Sequence, residues 1–148
     1  MDFTIRIAYG LKKLPQAREV RQKVFVEEQG FVNEFDDIDE RAYHVCVFDG
    51  EQAVATGRLF EDKTGWHIGR VAVLSEYRGQ MLGKKVMLAL EQKAKELGIK
   101  EVSLSAQVRA KGFYEKLGYK SLDDLHYDEY CPHVTMKLTI DKIGRAHV

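Results

Sequence analysis

Apolar residues change their period several times along the chain, and each change predicts an element. Phe3-Thr4-Ile5-Arg6-Ile7-Ala8-Tyr9 alternates with a two-residue rhythm and reads as an edge strand. Pro15 suits the first position of a helix whose stripe, Ala17, Val20 and Val24, runs to about Gln29, with Gly30 as its stop. A loop dense in acid follows, holding Glu34, Asp36, Asp37, Asp39 and Glu40. Three strand candidates come next, at residues 43–48, 52–60 and 66–74. The links between them, Asp49-Gly50-Glu51 and Asp62-Lys63-Thr64-Gly65, are short enough for antiparallel hairpins.

Residues 80–97 carry the strongest helical signal, with Leu82, Val86, Leu90, Ala94 and Leu97 on one face and Gly98 as terminator. A short strand at 101–105 should lie parallel to the strand before that helix. A second helix at 109–117 closes at Gly118, and strands at 119–122 and 133–140 complete the pattern. The order β-α-β-β-β-α-β-α-β-β predicts one α/β (α+β) domain over residues 1–140. Its sheet should be mixed, twisted and mostly antiparallel, with helices on both faces. Residues 141–148 carry no pattern and read as an unstructured or appended tail.

Composition narrows the function classes. A chain of 148 residues is long enough for one domain with a real core. Its 45% hydrophobic and 31% charged residues fit a soluble globular protein. Lys plus Arg and Asp plus Glu each number 23, so the basic excess of a nucleic-acid-binding domain is missing. No apolar run is long enough to span a bilayer, and Met1-Asp2-Phe3-Thr4-Ile5-Arg6 does not read as a signal peptide. Two cysteines, Cys46 and Cys131, make no disulfide framework, and reduced thiols in a cytoplasmic protein are the default reading.

The segment from Gly69 to Lys85 concentrates the chemistry. A buried strand passes through a glycine-bearing turn into the long helix, which aims unpaired amides and a helix N-terminus at one place. That arrangement suits phosphate. The turn Arg78-Gly79-Gln80-Met81-Leu82-Gly83 lacks the Gly-Lys-Ser/Thr ending of a nucleoside-triphosphate loop. It also lacks the early position of a dinucleotide fingerprint, and the bland alternative is a tight turn that needs glycines. His126, Cys131 and His133 suggest metal by type, but no paired Cys-x-x-Cys or His-x-x-x-His accompanies them, so no metal is expected. Nothing in the sequence orients Cys131 and His133 as a nucleophilic pair, and Cys46 reads as a small core residue. Arg58 and Arg70, on adjacent strands, suit either a carboxylate or phosphate of a substrate or ion pairs with the acidic loop.

Taken together, residues 70–83 and Ala110-Lys111-Gly112-Phe113-Tyr114-Glu115-Lys116-Leu117-Gly118-Tyr119 resemble the two defining segments of the GNAT superfamily of acyl-CoA-dependent N-acetyltransferases. A finer likeness, to the ElaA-like branch, rests on residues 24–29, His44, Thr56-Gly57-Arg58, Ile68-Gly69-Arg70-Val71, Ser105-Ala106-Gln107 and Pro132-His133-Val134-Thr135-Met136. The likeness extends over residues 3–140. It implies a sheet that splays where residues 70–74 part from 102–105, with the pantetheine of acetyl-CoA in the gap. It implies cofactor contacts from Val71, Ala72 and Val73, and a pyrophosphate cradle of Arg78, Gly79, Gln80, Met81, Leu82, Gly83 and Lys84.

The same likeness makes Tyr114 the general acid at the thiolate, against the alternative of an aromatic packed in the core. The base is open among Glu28, Glu34, Asp37, Asp39, His44, His133 and a water chain, with Glu34 and His133 the main candidates. Glu28, Asp39, His44, Arg58 and Arg70 are the expected acceptor-binding residues. Met81 departs from the family, which has glycine there. A side chain is tolerated at that point if φ is negative and Cβ points away; otherwise it narrows the phosphate site and reduces acyl-CoA affinity. The implied activity is acetyl transfer to a primary amine of a small molecule, or of a protein, by direct attack in a ternary complex. The rival is a non-catalytic acyl-CoA-binding or regulatory domain. No nucleic acid or membrane is expected as a partner, and the terminal strands offer a route to a homodimer.

Overall fold

Alternating segments become strands and the 3.6-period segments become helices, and the strands join in one open sheet. The structure is a computed structural model describing residues 2–140; the tail at 141–148 lies outside the described residues. The strands are β1 (Phe3–Tyr9), β2 (Ala42–Asp49), β3 (Gln52–Asp62), β4 (Gly65–Val73), β5 (Glu101–Gln107), β6 (Lys120–Ser121), β7 (His126–Asp128) and β8 (Cys131–Thr139). They lie in the order β1-β2-β3-β4-β5-β8-β6, with β7 also paired to β8. Every pairing is antiparallel except β4 with β5. The short β7, unforeseen in the sequence, arises because the chain from Asp128 to Cys131 turns back on itself before β8.

The helices differ in detail from their predicted spans. The segment expected to be one helix from Pro15 to Gln29 is α1 (Gln16–Arg21) followed by a π-helical stretch, Gln22–Glu28. There the Gln29 N–H reaches back five residues to Val24 O at 3.0 Å. Wider turns take more residues each, so the face presented after Gln22 drifts from what a 3.6 period predicts. The long helix is α2 (Leu82–Glu96), and it buries Leu82, Val86, Met87, Leu90, Glu91 and Ala94. Leu97, expected on that stripe, is its C-terminal cap and stays exposed because the helix ends there. The second predicted helix is a 3-10 turn, Val108–Ala110, leading into α3 (Lys111–Lys116).

Adjacent residues of β3 show how the helices sit on both sheet faces, since neighbours in a strand point opposite ways. Gly57 faces α2: a Cβ built on it would lie 2.7 Å from Val86 Cγ1 and 3.0 Å from Leu90 Cδ1. Arg58 faces the other layer, where it shares Asp39 with Arg21 of α1. Gly57 is therefore the point where α2 rests on bare backbone.

Gly57 also stands opposite a bulge. The register runs Thr56↔Ala72 and then Arg58↔Gly69, so Gly57 faces two residues of β4, Arg70 and Val71. Arg70 is left-handed there, at φ 53°. Such a two-against-one bulge bends its strand and increases local twist. The parallel partnership of β4 and β5 is brief: Trp66 pairs with Val102 and His67 with Ser103, and no later register follows. Side chains pin the last pair, with Ser103 Oγ 2.7 Å from His67 Nδ1 and His67 Nε2 2.8 Å from Asp62 Oδ1. The carboxylate can only accept, so Nε2 donates to it, and Nδ1 shares a hydrogen bond with the Ser103 hydroxyl. Beyond this pin the strands separate, as the splay implied by the sequence required.

Gly57→Ala should lower unfolding free energy by about 1–3 kcal/mol, the ordinary range for overpacking a tight contact. Urea unfolding checks it. A Gly57→Ala protein as stable as wild type would mean that α2 does not bear on this residue.

Candidate active site

The parting of β4 from β5 opens a cavity of about 890 Å³, within the range of small-molecule sites. Val71, Ala72 and Val73 line one wall, Leu104, Ser105 and Gln107 the other, and Tyr114 and the start of α2 close one end. Backbone direction separates the three β4 residues. Leu74 N–H donates to Val54 O at 2.9 Å, toward β3. Alternation turns Ala72 the same way and turns the peptide groups of Val71 and Val73 into the gap. Arg78 Nε, donating to Val73 O at 3.1 Å, meets one of these groups. Unlike Val71 and Val73, Ala72 directs its peptide N–H away from the cavity.

The turn into α2 forms the rest of that end. Gly79 is left-handed at φ 84°. Met81, the N-terminal cap, is also left-handed, at φ 65°, so the negative φ expected for a tolerated side chain is not what the backbone adopts. Met81 is 65% exposed and lines the cavity beside the turn. The first helical bond is Lys85 N–H to Met81 O, at 3.2 Å. The N–H groups of Leu82, Gly83 and Lys84 precede it, and no side chain caps them. Free amides on the positive end of a 15-residue helix form an anion site. Gly83 packs closely: a Cβ there would lie 3.3 Å from Phe113 Cζ. Gln80, also in the turn, is exposed.

Tyr114 is held edge-on by Phe113 at 4.9 Å and by Tyr119 at 6.0 Å between ring centroids. It lines the cavity, and burial pushes its phenol up to about 12. His133 lines the cavity too and is 5% exposed. Its Nδ1 lies 2.9 Å from Cys131 O. A carbonyl accepts only, so Nδ1 carries a proton, which leaves Nε2 as the ring atom free to exchange one. Cys131 is a half-buried free thiol beside this carbonyl contact, and Cys46 is buried and free. Burial pushes the Cys46 thiol up to about 11, as suits a core residue. Among the described residues, no group of three or more His, Cys, Asp or Glu could hold a metal ion.

The acidic loop divides the other candidates. Glu34, Asp36 and Asp39 are drawn inward by three arginines. Arg21 holds Glu34 at 2.8 Å and Asp39 at 2.7 Å. Arg58 holds Asp36 at 2.8 Å and Asp39 at 2.7 Å, and Arg70 holds Glu34 at 3.0 Å. Arg21, Arg58, Glu34 and Asp39 are almost wholly buried. Burial is the largest influence on Asp39 and pushes its carboxyl up, but hydrogen bonds and charge from Arg21 and Arg58 outweigh it and hold it below the usual range. For Glu34 burial prevails over Arg70 and Arg21, and its carboxyl is raised. Arg58 and Arg70 thus spend their charge on the acidic loop, although both line the cavity. Asp39 and His44 do not line it. His44 is fully buried, with Nε2 2.8 Å from Asp39 O, and burial holds its ring below the ordinary value. Asp37 is exposed beside Arg41. Glu28 lines the cavity and grips Arg78.

Arg21 is the residue that sequence reasoning missed. It stands four residues after Ala17, on the apolar stripe of its helix and just ahead of an acid-dense loop. A cation on a buried face next to such a loop was a usable signal.

Asp39→Asn should cost about 3–5 kcal/mol at neutral pH, because it leaves two buried guanidinium groups short of a partner. Asp39 has a depressed carboxyl in the folded chain, so its contribution is full above the unfolded value of about 3.9 and is lost as pH falls through the folded value. The gap between wild type and Asp39→Asn should therefore narrow as pH drops from about 5 toward 2. Urea titrations across that range measure it, and a constant gap would contradict the assignment.

Comparison with known proteins agrees with this geometry. Residues 12–140 match the acetyltransferase (GNAT) domain family. The chain is 36% identical to YjcF of Bacillus subtilis, an uncharacterized N-acetyltransferase, across 88% of this chain and 95% of that protein. An acyl-CoA N-acyltransferase from Pseudomonas aeruginosa superposes with a TM-score of 0.79 at 29% identity, covering 92% of this chain and 97% of that one. ElaA of Escherichia coli shares the fold, with a TM-score of 0.81 at 24% identity over 92% of this chain and 99% of that one. No helix among the described residues is long and apolar enough to cross a membrane. With the family match spanning most of the sequence and the relatives aligned nearly end to end, the chain belongs to the GNAT acetyltransferase family.

Proposed function

We propose that the protein moves an acetyl group from acetyl-CoA to a primary amine of a small molecule, by direct attack with both reactants bound. The observation that carries this reading is the gap itself. It combines strand amides that have lost their parallel partner, a long helix with an uncapped N-terminus and a half-buried tyrosine. An acyl-CoA fits the donor set. Its pyrophosphate suits Arg78, Gly79, Gln80, Met81, Leu82, Gly83 and Lys84, and its pantetheine amides suit the peptide groups of Val71 and Val73. Bound there, acetyl-CoA supplies a thioester open to an amine.

The chain's own groups meet three requirements of such a transfer. The N–H groups facing the gap are fixed donors for an oxygen that gains charge. An alkyl amine is mostly protonated at neutral pH, and His133, which lines the cavity with Nδ1 held by Cys131 O, would take its proton on Nε2. Glu34, the other base candidate, has its carboxylate engaged by Arg21 and Arg70 and is better suited to holding those arginines. Tyr114 gives a proton to the departing sulfur. Its raised pKa, caused by burial, keeps the phenol protonated throughout the working range.

Release of CoA thiol with a panel of primary amines tests the activity. Tyr114→Phe should lower kcat about a hundredfold with CoA affinity retained, and no falling limb from Tyr114 should appear in wild type below about pH 10. Binding of acetyl-CoA without turnover across the panel would favour a regulatory domain instead.

His133→Gln should lower the rate at pH 7 by about a hundredfold. The deficit should shrink toward about pH 9.5, where more of the amine is already neutral in solution. A deficit that does not change with pH would remove His133 from the base role.

A further inference from the structure

Glu28 belongs to two cavities at once. Besides the gap, it lines a smaller neighbour of about 370 Å³. That neighbour has an aromatic wall, since Phe31 and Tyr130 both line it and stack at 5.6 Å with planes 23° apart. Its floor is polar and fixed: Gln107 Nε2 donates to Gln29 Oε1 at 2.8 Å, and Arg109 Nε donates to Gln107 Oε1 at 2.8 Å. Among the described residues, Glu28 is its one lining carboxylate.

That carboxylate is already engaged. Arg78 Nη1 and Nη2 each reach a Glu28 oxygen at 2.7 Å, a fork-on-fork pair between the end of the π-helical stretch and the start of the anion-binding turn. The two side chains are 44% and 42% exposed, so water screens the pair and can take over either partner despite its bidentate geometry. A pyrophosphate on the uncapped amides of α2 would compete with Glu28 for the same guanidinium, and it carries more negative charge.

Resting on the acyl-CoA reading above, we propose that the smaller cavity is the acceptor subsite, that it takes a primary amine carried on a flat aromatic body, and that Glu28 receives the ammonium once acyl-CoA draws Arg78 away. The ring lies against Phe31 and Tyr130, and the ammonium meets Glu28 where the two cavities join. The Arg78–Glu28 pair then links the two binding events. The acceptor carboxylate is masked in the free protein and unmasked by the first substrate. Any gain one ligand gives the other must be reciprocal.

Calorimetry with CoA and 2-phenylethylamine tests it, with spermidine as a cation that lacks a ring. Glu28→Gln should bind CoA about twofold to fivefold tighter than wild type, since the competitor for Arg78 is gone. In wild type, saturating CoA should tighten 2-phenylethylamine binding several-fold, whereas in Glu28→Gln the amine should bind weakly and without response to CoA. Weaker or unchanged CoA binding in Glu28→Gln would overturn the inference alone, as would amine affinity indifferent to CoA in wild type. A preference for spermidine over 2-phenylethylamine would overturn the aromatic acceptor. No heat from CoA with either protein would remove the acyl-CoA reading and this inference with it.

Discussion

Between Thr56 and Arg58, one residue of β3 answers two of β4, and the architecture of the site follows from that mismatch. The bulge puts Arg70 in a left-handed conformation and turns β4 off the line of β5 just after their last shared register. Peptide groups that would have closed a parallel ladder face a cavity instead. An unpaired buried amide is costly, so a sheet does not open by chance in its middle. It opens where the cost is offset by packing elsewhere. Gly57 supplies part of that offset, because a residue with no side chain lets α2 settle on the backbone opposite the bulge. The helix that seals the sheet behind the bulge is also the one whose N-terminus faces the gap.

The other layer is held by charge. Three arginines and three carboxylates interlock beneath the cavity, and most of them have little contact with water. Such a network contributes less to net stability than an apolar core of the same volume, but it tolerates almost no deletion. Its geometric effect is clear. It binds the loop at Glu34–Asp39 to α1, β3 and β4, and so fixes one wall of the cavity. Arg70 takes part from within the bulge, so the distortion of β4 and the ion network are tied through one side chain.

Much of this was legible in the sequence. Alternation located the strands, the Leu82 to Ala94 stripe located α2, and the two motif segments pointed to a splay between residues 70–74 and 102–105. What escaped did so for physical reasons. The π-helical turns around Phe25 alter the helix period without any composition that marks them. The hairpin of β7 is only three residues long, too short to show periodicity. Arg21 stands on the apolar stripe ahead of the acidic loop, but buried arginines are rare, and its partners Glu34 and Asp39 are set only by tertiary folding. The choice between substrate binding and ion pairing for Arg58 and Arg70 was undecidable from spacing, since it depends on how far the acidic loop folds inward. At Met81 the backbone is left-handed, opposite to the sign set for a tolerated side chain, and the residue is both exposed and part of the cavity lining.

The link between Ser103, His67 and Asp62 has a mechanical side. It sits at the apex of the opening, where a wedge driven between the strands would concentrate its load. A fastened apex stops a crack from travelling. One end of the slot along β4 is thus set by this fastening, and the bulge carries the strand away beyond it.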